Sequence, residues 1–289
     1  MSLAFVFPGQ GSQFVGMGKD LAEKWLDEAN RVLGFDLKKL CLEGPEEELK
    51  RTEITQPAIL TVSLAAYEHL KAKGIKPDVV AGHSLGEYSA LVAAGSLKFS
   101  DAVKLVNLRG RFMQEAVPEG RGAMAAVIGG ERSLIENICR ETKGVQPANI
   151  NGGGQIVISG LAESVASASE KLKAAGIRKI IPLKVSAPFH SQLMEPAAKR
   201  LAVELDKIEI QDASVPVVAN FTAEPVTDGK KIRELLIKQV TGPVLWEDSV
   251  RRMVKDGVAK FIEVGPGAVL AGLIRKIESS VEVISYVQA

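Results

Sequence analysis

Gly82-His83-Ser84-Leu85-Gly86 interrupts an apolar run, Val79-Val80-Ala81, and leads into a helical one. G-x-S-x-G between a strand and a helix is where α/β enzymes expose a nucleophilic serine on a sharp turn. The glycines let other backbone approach that turn, and the helix beginning after Ser84 offers unbonded N–H groups to an oxyanion. The same pattern also suits a serine that merely caps a helix. A nucleophile needs a base, and the chain has three histidines. His83 adjoins Ser84 and should point to the other side of the strand end. His69 falls in the last turn before Gly74, where it suits the helix dipole. His190 remains. With Pro188 before it, it reads as opening a helix whose apolar stripe is His190, Leu193, Met194, Ala197, Leu201 and Leu205. That puts His190 at the exposed end of a core-facing stripe, a place that a structural histidine also fills.

Two further residues could complete a site. In a helix predicted over Ser100 to Glu115, Arg109 falls among Ala102, Leu105, Val106, Phe112 and Met113, while Lys104, Asn107, Arg111 and Glu115 share the polar face. An inward guanidinium needs an anion or dense hydrogen bonding, because burying it unpaired costs several kcal/mol. An internal salt bridge would satisfy it, and so would a substrate carboxylate held by both arms of the fork. Gly9-Gln10-Gly11-Ser12-Gln13 follows the first apolar run and should lie at the same sheet edge as Ser84. Phe14 stands where a dinucleotide fingerprint needs its third glycine. Gln10 could lend its backbone N–H to an oxyanion hole or simply form a turn.

The elements that must position these residues alternate. Leu3 to Phe7, Val79 to Ala81, Val215 to Asn220 and Lys260 to Val264 read as buried strands; helices are predicted from near Pro57 to Gly74 and over Leu85 to Ala94. Such alternation indicates a parallel sheet covered by helices. The middle differs: strand Gly122 to Gly130, helix Arg132 to Thr142, a hairpin of Gln146 to Asn151 and Gln155 to Ser159 about Gly152-Gly153-Gly154, helix Leu161 to Ala175 and strand Ile177 to Val185. This β-α-β-β-α-β order is the ferredoxin-like arrangement. The expected fold is therefore α/β, with a large domain over residues 1–117 and 188–289 and a small inserted domain over residues 118–187.

Composition narrows the function. The 289 residues carry 36 Lys and Arg against 35 Asp and Glu, which argues against global attraction to nucleic acid or membrane. No apolar run approaches the ~18 residues of a membrane span, and Leu3 to Phe7 ends too early at Pro8 for a signal peptide, so a cytoplasmic protein is expected. Cys41 and Cys139 fit no metal-ligand spacing and read as reduced thiols, although one bridge between them is conceivable. No bound metal is expected.

Taken together, five ordered motifs resemble the malonyl-CoA:acyl carrier protein transacylase family: Phe7-Pro8-Gly9-Gln10-Gly11-Ser12-Gln13, Gly82-His83-Ser84-Leu85-Gly86-Glu87, Leu108-Arg109-Gly110 with Met113-Gln114, Val185-Ser186-Ala187-Pro188-Phe189-His190, and Glu263-Val264-Gly265-Pro266-Gly267. The resemblance runs from about residue 4 to 275. It implies a hydrolase-like α/β domain with a ferredoxin-like insertion, and a ping-pong transfer of malonyl from malonyl-CoA to the carrier's phosphopantetheine thiol, in fatty acid synthesis. By that resemblance Ser84 is the acylated nucleophile, His190 the general acid/base and Arg109 the partner of the malonyl carboxylate. Gln10 and Leu85 match the oxyanion N–H donors, and Gln239 the position whose main-chain carbonyl orients the histidine. Met113 and Phe189 fall beside the acyl group, where Phe189's bulk disfavours a branched α-carbon.

Coenzyme A then enters only as a substrate thioester, with no bound cofactor. The acidic carrier protein calls for a basic surface, with Lys199, Arg200 and Lys179 as candidates by charge, and a monomer is the working expectation. The residues alone also accommodate a serine hydrolase, which has no use for an inward arginine, or a silent carrier-binding domain, which needs neither Ser84 nor His190.

Overall fold

The computed structural model describes residues 2–286. The chain runs β1 (Ser2–Phe7), α1 (Glu23–Leu33), α2 (Leu37–Glu43), α3 (Glu46–Leu49), α4 (Thr52–Ala72), β2 (Val79–Gly82), α5 (Gly86–Ala93) and α6 (Phe99–Glu115). Then come β3 (Gly122–Ile128), α7 (Arg132–Glu141), β4 (Val145–Gly152), β5 (Gln155–Leu161), α8 (Ala162–Ala174) and β6 (Lys179–Pro182). The remainder is α9 (Glu195–Leu205), β7 (Val217–Val218), β8 (Pro225–Val226), α10 (Gly229–Thr241), α11 (Trp246–Lys255), β9 (Val258–Val264), α12 (Val269–Ile277) and β10 (Glu282–Tyr286).

Two sheets result. The larger has the order β10-β9-β1-β2-β7-β8, parallel except for the β7–β8 pair. Alternation along β1 sends Phe5 and Phe7 into the core beneath α4 and α6, and Ala4 and Val6 into the opposite core with Trp246, Phe261 and Leu270. Pairing of Phe7 with Gly82 brings the ends of β1 and β2 to one edge, so the Gln10 loop and Ser84 meet there. The smaller sheet, β4-β5-β3-β6, is antiparallel, and α7 and α8 bury Ile135, Ile138, Val165 and Leu172 against it. Its β4–β5 hairpin closes through Gly153 and Gly154, both at positive φ as a tight two-residue turn demands. Cys41 and Cys139 are free thiols in separate cores, so the bridge left open by the sequence does not form. Among the described residues no helix is long and apolar enough to cross a membrane.

Several predicted bounds shift for physical reasons. The strand expected over Val215 to Asn220 pairs only at Val217 and Val218, after which Asn220 turns towards Ser84. The strand expected to reach Val185 ends at Pro182, with one further bond to β3, from Leu183 N to Met124 O at 2.9 Å. Helix α4 starts at Thr52, five residues before Pro57, so the proline lies inside it. A proline there leaves the carbonyl four residues back, that of Glu53, without its helical donor. Asn107, expected on the polar face of α6, is instead buried and donates its Nδ2 to that carbonyl at 2.7 Å. Three residues on, Gly110 packs so closely that a Cβ would lie 2.7 Å from Glu53 Cα and Thr52 O. This tight crossing sets Arg109 beside the first turns of α4. Gly110→Ala is therefore expected to cost about 1–3 kcal/mol of unfolding free energy in denaturant titration; a change below about 0.5 kcal/mol would contradict the close-crossing account.

Candidate active site

Ser84 sits on a strained elbow, with φ of 52°. A side chain there costs on the order of 1 kcal/mol or more, so surrounding structure must impose it. Both flanking glycines are sterically required: a Cβ on Gly82 would overlap the backbone of Gly86, and one on Gly86 would overlap the Phe7 carbonyl. Asn220 then clamps the turn, accepting from Ser84 N at 2.7 Å and donating to Gly82 O at 2.6 Å. The side chain of Gln239 donates to Ser84 O at 3.0 Å.

His190 meets Ser84 directly, with Nε2 2.8 Å from Oγ. Its Nδ1 lies 2.8 Å from the Gln239 carbonyl. A carbonyl only accepts, so Nδ1 carries the proton and Nε2 is left as the acceptor for the serine hydroxyl. The histidine does not open a helix as expected. It lies in a turn at φ 56°, and α9 begins five residues later, with Pro196 in its first turn, after a 3-10 turn over Gln192–Met194. Nor is it at an exposed end: it is 3% exposed. Gln146 of β4 holds the turn by donating to the carbonyls of His190 (3.2 Å) and Thr241 (3.0 Å) and accepting from Gln192 N. Burial, then the nearby Arg109, push the His190 pKa down to about 3, so the imidazole is neutral.

Arg109 is fully enclosed, yet no carboxylate pairs with it among the described residues. The internal salt bridge that the sequence left open is absent. Its Nη1 donates to Gln56 Oε1 at 2.8 Å, and Nη2 to Gln239 Oε1 at 2.9 Å and Ser84 Oγ at 3.1 Å; Nε is buried without a partner. Burial lowers the Arg109 pKa, as expected of a cation short of a counter-ion.

These residues line a cavity of about 160 Å³ between the two sheets, together with Gln10, Gln56, Met113, Val185 and Phe189. Its volume suits a short acyl group. Among the described residues the N–H groups of Gln10 and Leu85 have no protein acceptor, although Leu85 itself is buried. His83 also reaches this cavity, but its Nε2 is engaged with Asn151 Oδ1 at 2.9 Å and burial lowers its pKa. His69 stays in the last turn of α4, stacked near Tyr286. Of the three basic candidates for a partner surface, Arg200 pairs with Glu115 and Lys199 with Glu195, leaving Lys179 exposed on β6. Sequence reasoning missed Gln56, Gln146, Asn220 and the side chain of Gln239. Only Asn220 carried a signal, at the carboxyl end of a predicted strand neighbouring the elbow, where α/β sheets place their sites.

The family model described as the acyl transferase domain matches residues 4–288. The malonyl CoA-acyl carrier protein transacylase of Bacillus subtilis is 50% identical, covering 98% of this chain and 92% of the relative. The crystal structure of an acyl carrier protein S-malonyltransferase from Vibrio cholerae superposes with a TM-score of 0.98 at 45% identity, covering 100% of this chain and 98% of that one. A malonyl-transacylase in complex with its type II PKS acyl-carrier protein gives 0.97 at 44% identity, covering 100% and 97%.

The His190 imidazole is expected to stay neutral, with its proton on Nδ1, as pH falls from about 8 to about 5 in nitrogen-edited NMR spectra, because a cation disfavoured by burial forms only below its depressed pKa of about 3. Arg109→Ala should raise that pKa. A midpoint near the ordinary value of about 6.5 in the unmodified protein would contradict this picture.

Proposed function

Because this chain belongs to the acyltransferase family of the malonyl-CoA:acyl carrier protein transacylases, we propose that it carries malonyl from coenzyme A to the phosphopantetheine thiol of an acidic acyl carrier protein, in cytoplasmic fatty acid synthesis. One observation carries the substrate assignment: a buried guanidinium with no carboxylate partner among the described residues donates to the hydroxyl of Ser84. A hydrolase of neutral esters has no use for that charge, whereas a malonyl carboxylate completes it.

In the proposed reaction His190 Nε2 takes the Ser84 proton as Oγ attacks the thioester carbonyl. The carbonyl oxygen gains the charge and is held by the N–H groups of Gln10 and Leu85, each worth roughly 3–4 kcal/mol. The C–S bond breaks, the departing sulfur takes the proton from His190, and a malonyl ester remains on Ser84. The carrier thiol then attacks this ester by the reverse proton path. The Gln239 carbonyl keeps the imidazole turned towards Ser84, so a neutral acceptor serves where many hydrolases use an acid. A malonyl carboxylate on Arg109 would also cancel the charge that depresses His190, strengthening the base when the correct acyl group is bound. Met113 and Phe189 wall the acyl group. The scheme asks nothing of a bound metal or prosthetic group.

The finer reading of the fold belongs here too: a ferredoxin-like insertion at residues 118–187 within a hydrolase-like domain of residues 1–117 and 188–289. The β-α-β-β-α-β order and the strand order β4-β5-β3-β6 support it.

Arg109→Ala is expected to lower kcat/KM for malonyl transfer by about 100-fold or more, the scale of losing one partner of a buried charge pair. Acetyl transfer should stay within about threefold or rise, because acetyl offers no carboxylate and His190 is released from a neighbouring cation. Equal losses for both acyl groups, measured with coenzyme A thioesters and holo carrier protein, would return Arg109 to a structural role.

A further inference from the structure

Glu87 is a buried carboxylate that the reaction above does not use. It lies on α5, one turn beyond Ser84, and is 3% exposed. Its Oε2 accepts from Gln239 Nε2 at 2.6 Å and from Asn220 N at 3.2 Å. A side-chain amide can be turned either way, and which end faces which neighbour is decided by those neighbours. Here one end of Gln239 faces the Ser84 carbonyl, which only accepts, as well as Glu87, so its NH₂ must point there. The carbonyl end is thereby forced towards Arg109 Nη2, a group that only donates, at 2.9 Å. Carboxylate and guanidinium are thus joined through one amide and not by contact.

We infer that Glu87 is a positioning residue for acyl-group choice: through the Gln239 amide it aims Arg109 at the acyl cavity while leaving the guanidinium without a carboxylate of its own. A direct ion pair would occupy the fork that the substrate needs. The amide instead fixes one edge of the guanidinium, Gln56 fixes another, and the charge stays unspent. Burial lifts the Glu87 pKa to about 7, so the group is held at a cost that a purely apolar core would avoid. Of the other duties of Gln239, its main-chain bond to His190 is fixed by the backbone of α10, and its amide bond to Ser84 O is backed at the elbow by Asn220, which holds both Ser84 N and Gly82 O. Loss of the relay should therefore fall on malonyl selectivity and spare the serine–histidine chemistry.

This inference rests on the malonyl-transfer reading, and two substitutions test it apart from that reading. Glu87→Asp keeps the carboxyl group but withdraws it by one methylene, and should lower the malonyl-to-acetyl ratio of kcat/KM at least fivefold with acetyl transfer within threefold. Glu87→Gln keeps both reach and an accepting oxygen, and should hold the ratio within threefold. An unchanged ratio in Glu87→Asp, equal losses for both acyl groups, or a loss in Glu87→Gln matching that in Glu87→Asp would overturn the relay. Arg109→Ala is the control: if it lowers the ratio and Glu87→Asp does not, only the relay fails. If Arg109→Ala leaves the ratio unchanged, Arg109 is not the partner of the malonyl carboxylate, and the substrate assignment on which the relay rests fails.

Discussion

A guanidinium held in the interior with no carboxylate beside it among the described residues is the constraint around which this molecule is arranged. Removing such a charge from water costs several kcal/mol unless the interior returns comparable hydrogen bonding. Here Gln56, Gln239 and Ser84 supply it, from three separate elements of the chain. Bringing α6 close enough requires Gly110 against α4, and α4 tolerates Pro57 because Asn107 of α6 satisfies the carbonyl that the proline strands. The packing of two helices and the chemistry of the cavity are therefore one problem with one solution.

The reacting pair obeys a second rule. Ser84 and His190 both have left-handed backbone, unusual for residues with side chains, and both are pinned by side-chain amides. Asn220 and Gln239 hold the serine elbow; Gln146, reaching across from the smaller sheet, holds the histidine turn. Amides suit this work because each offers a donor and an acceptor to neighbouring backbone without adding charge to a cavity that already carries Arg109. The distance of 2.8 Å between Oγ and Nε2 is the outcome of these clamps and not of either residue's own preference.

Much of this was legible in the chain. The strand–turn–helix around Ser84, the inward face of Arg109 and the β-α-β-β-α-β middle all follow from periodicity and glycine placement, signals that depend on near neighbours in sequence. What escaped depends on distant ones. Pro188 before His190 reads locally as a helix start, yet the turn there is imposed by Gln146, 44 residues away in sequence. Pro57 reads as a helix beginning because nothing nearby reveals that Asn107 will mend the broken ladder. Gln239 has a main-chain role that the family resemblance implies, but its side-chain links to Arg109, Glu87 and the elbow arise only when α10 closes over the site.

The central claim is that Ser84 carries malonyl between two thiols. Incubating the protein with labelled malonyl-CoA and mapping the label by peptide mass spectrometry tests it most directly. The account predicts one label per chain, on the peptide bearing Ser84, persisting without acceptor and passing to added holo acyl carrier protein. Steady release of free malonate, indifferent to the carrier and leaving Ser84 unlabelled, would contradict it.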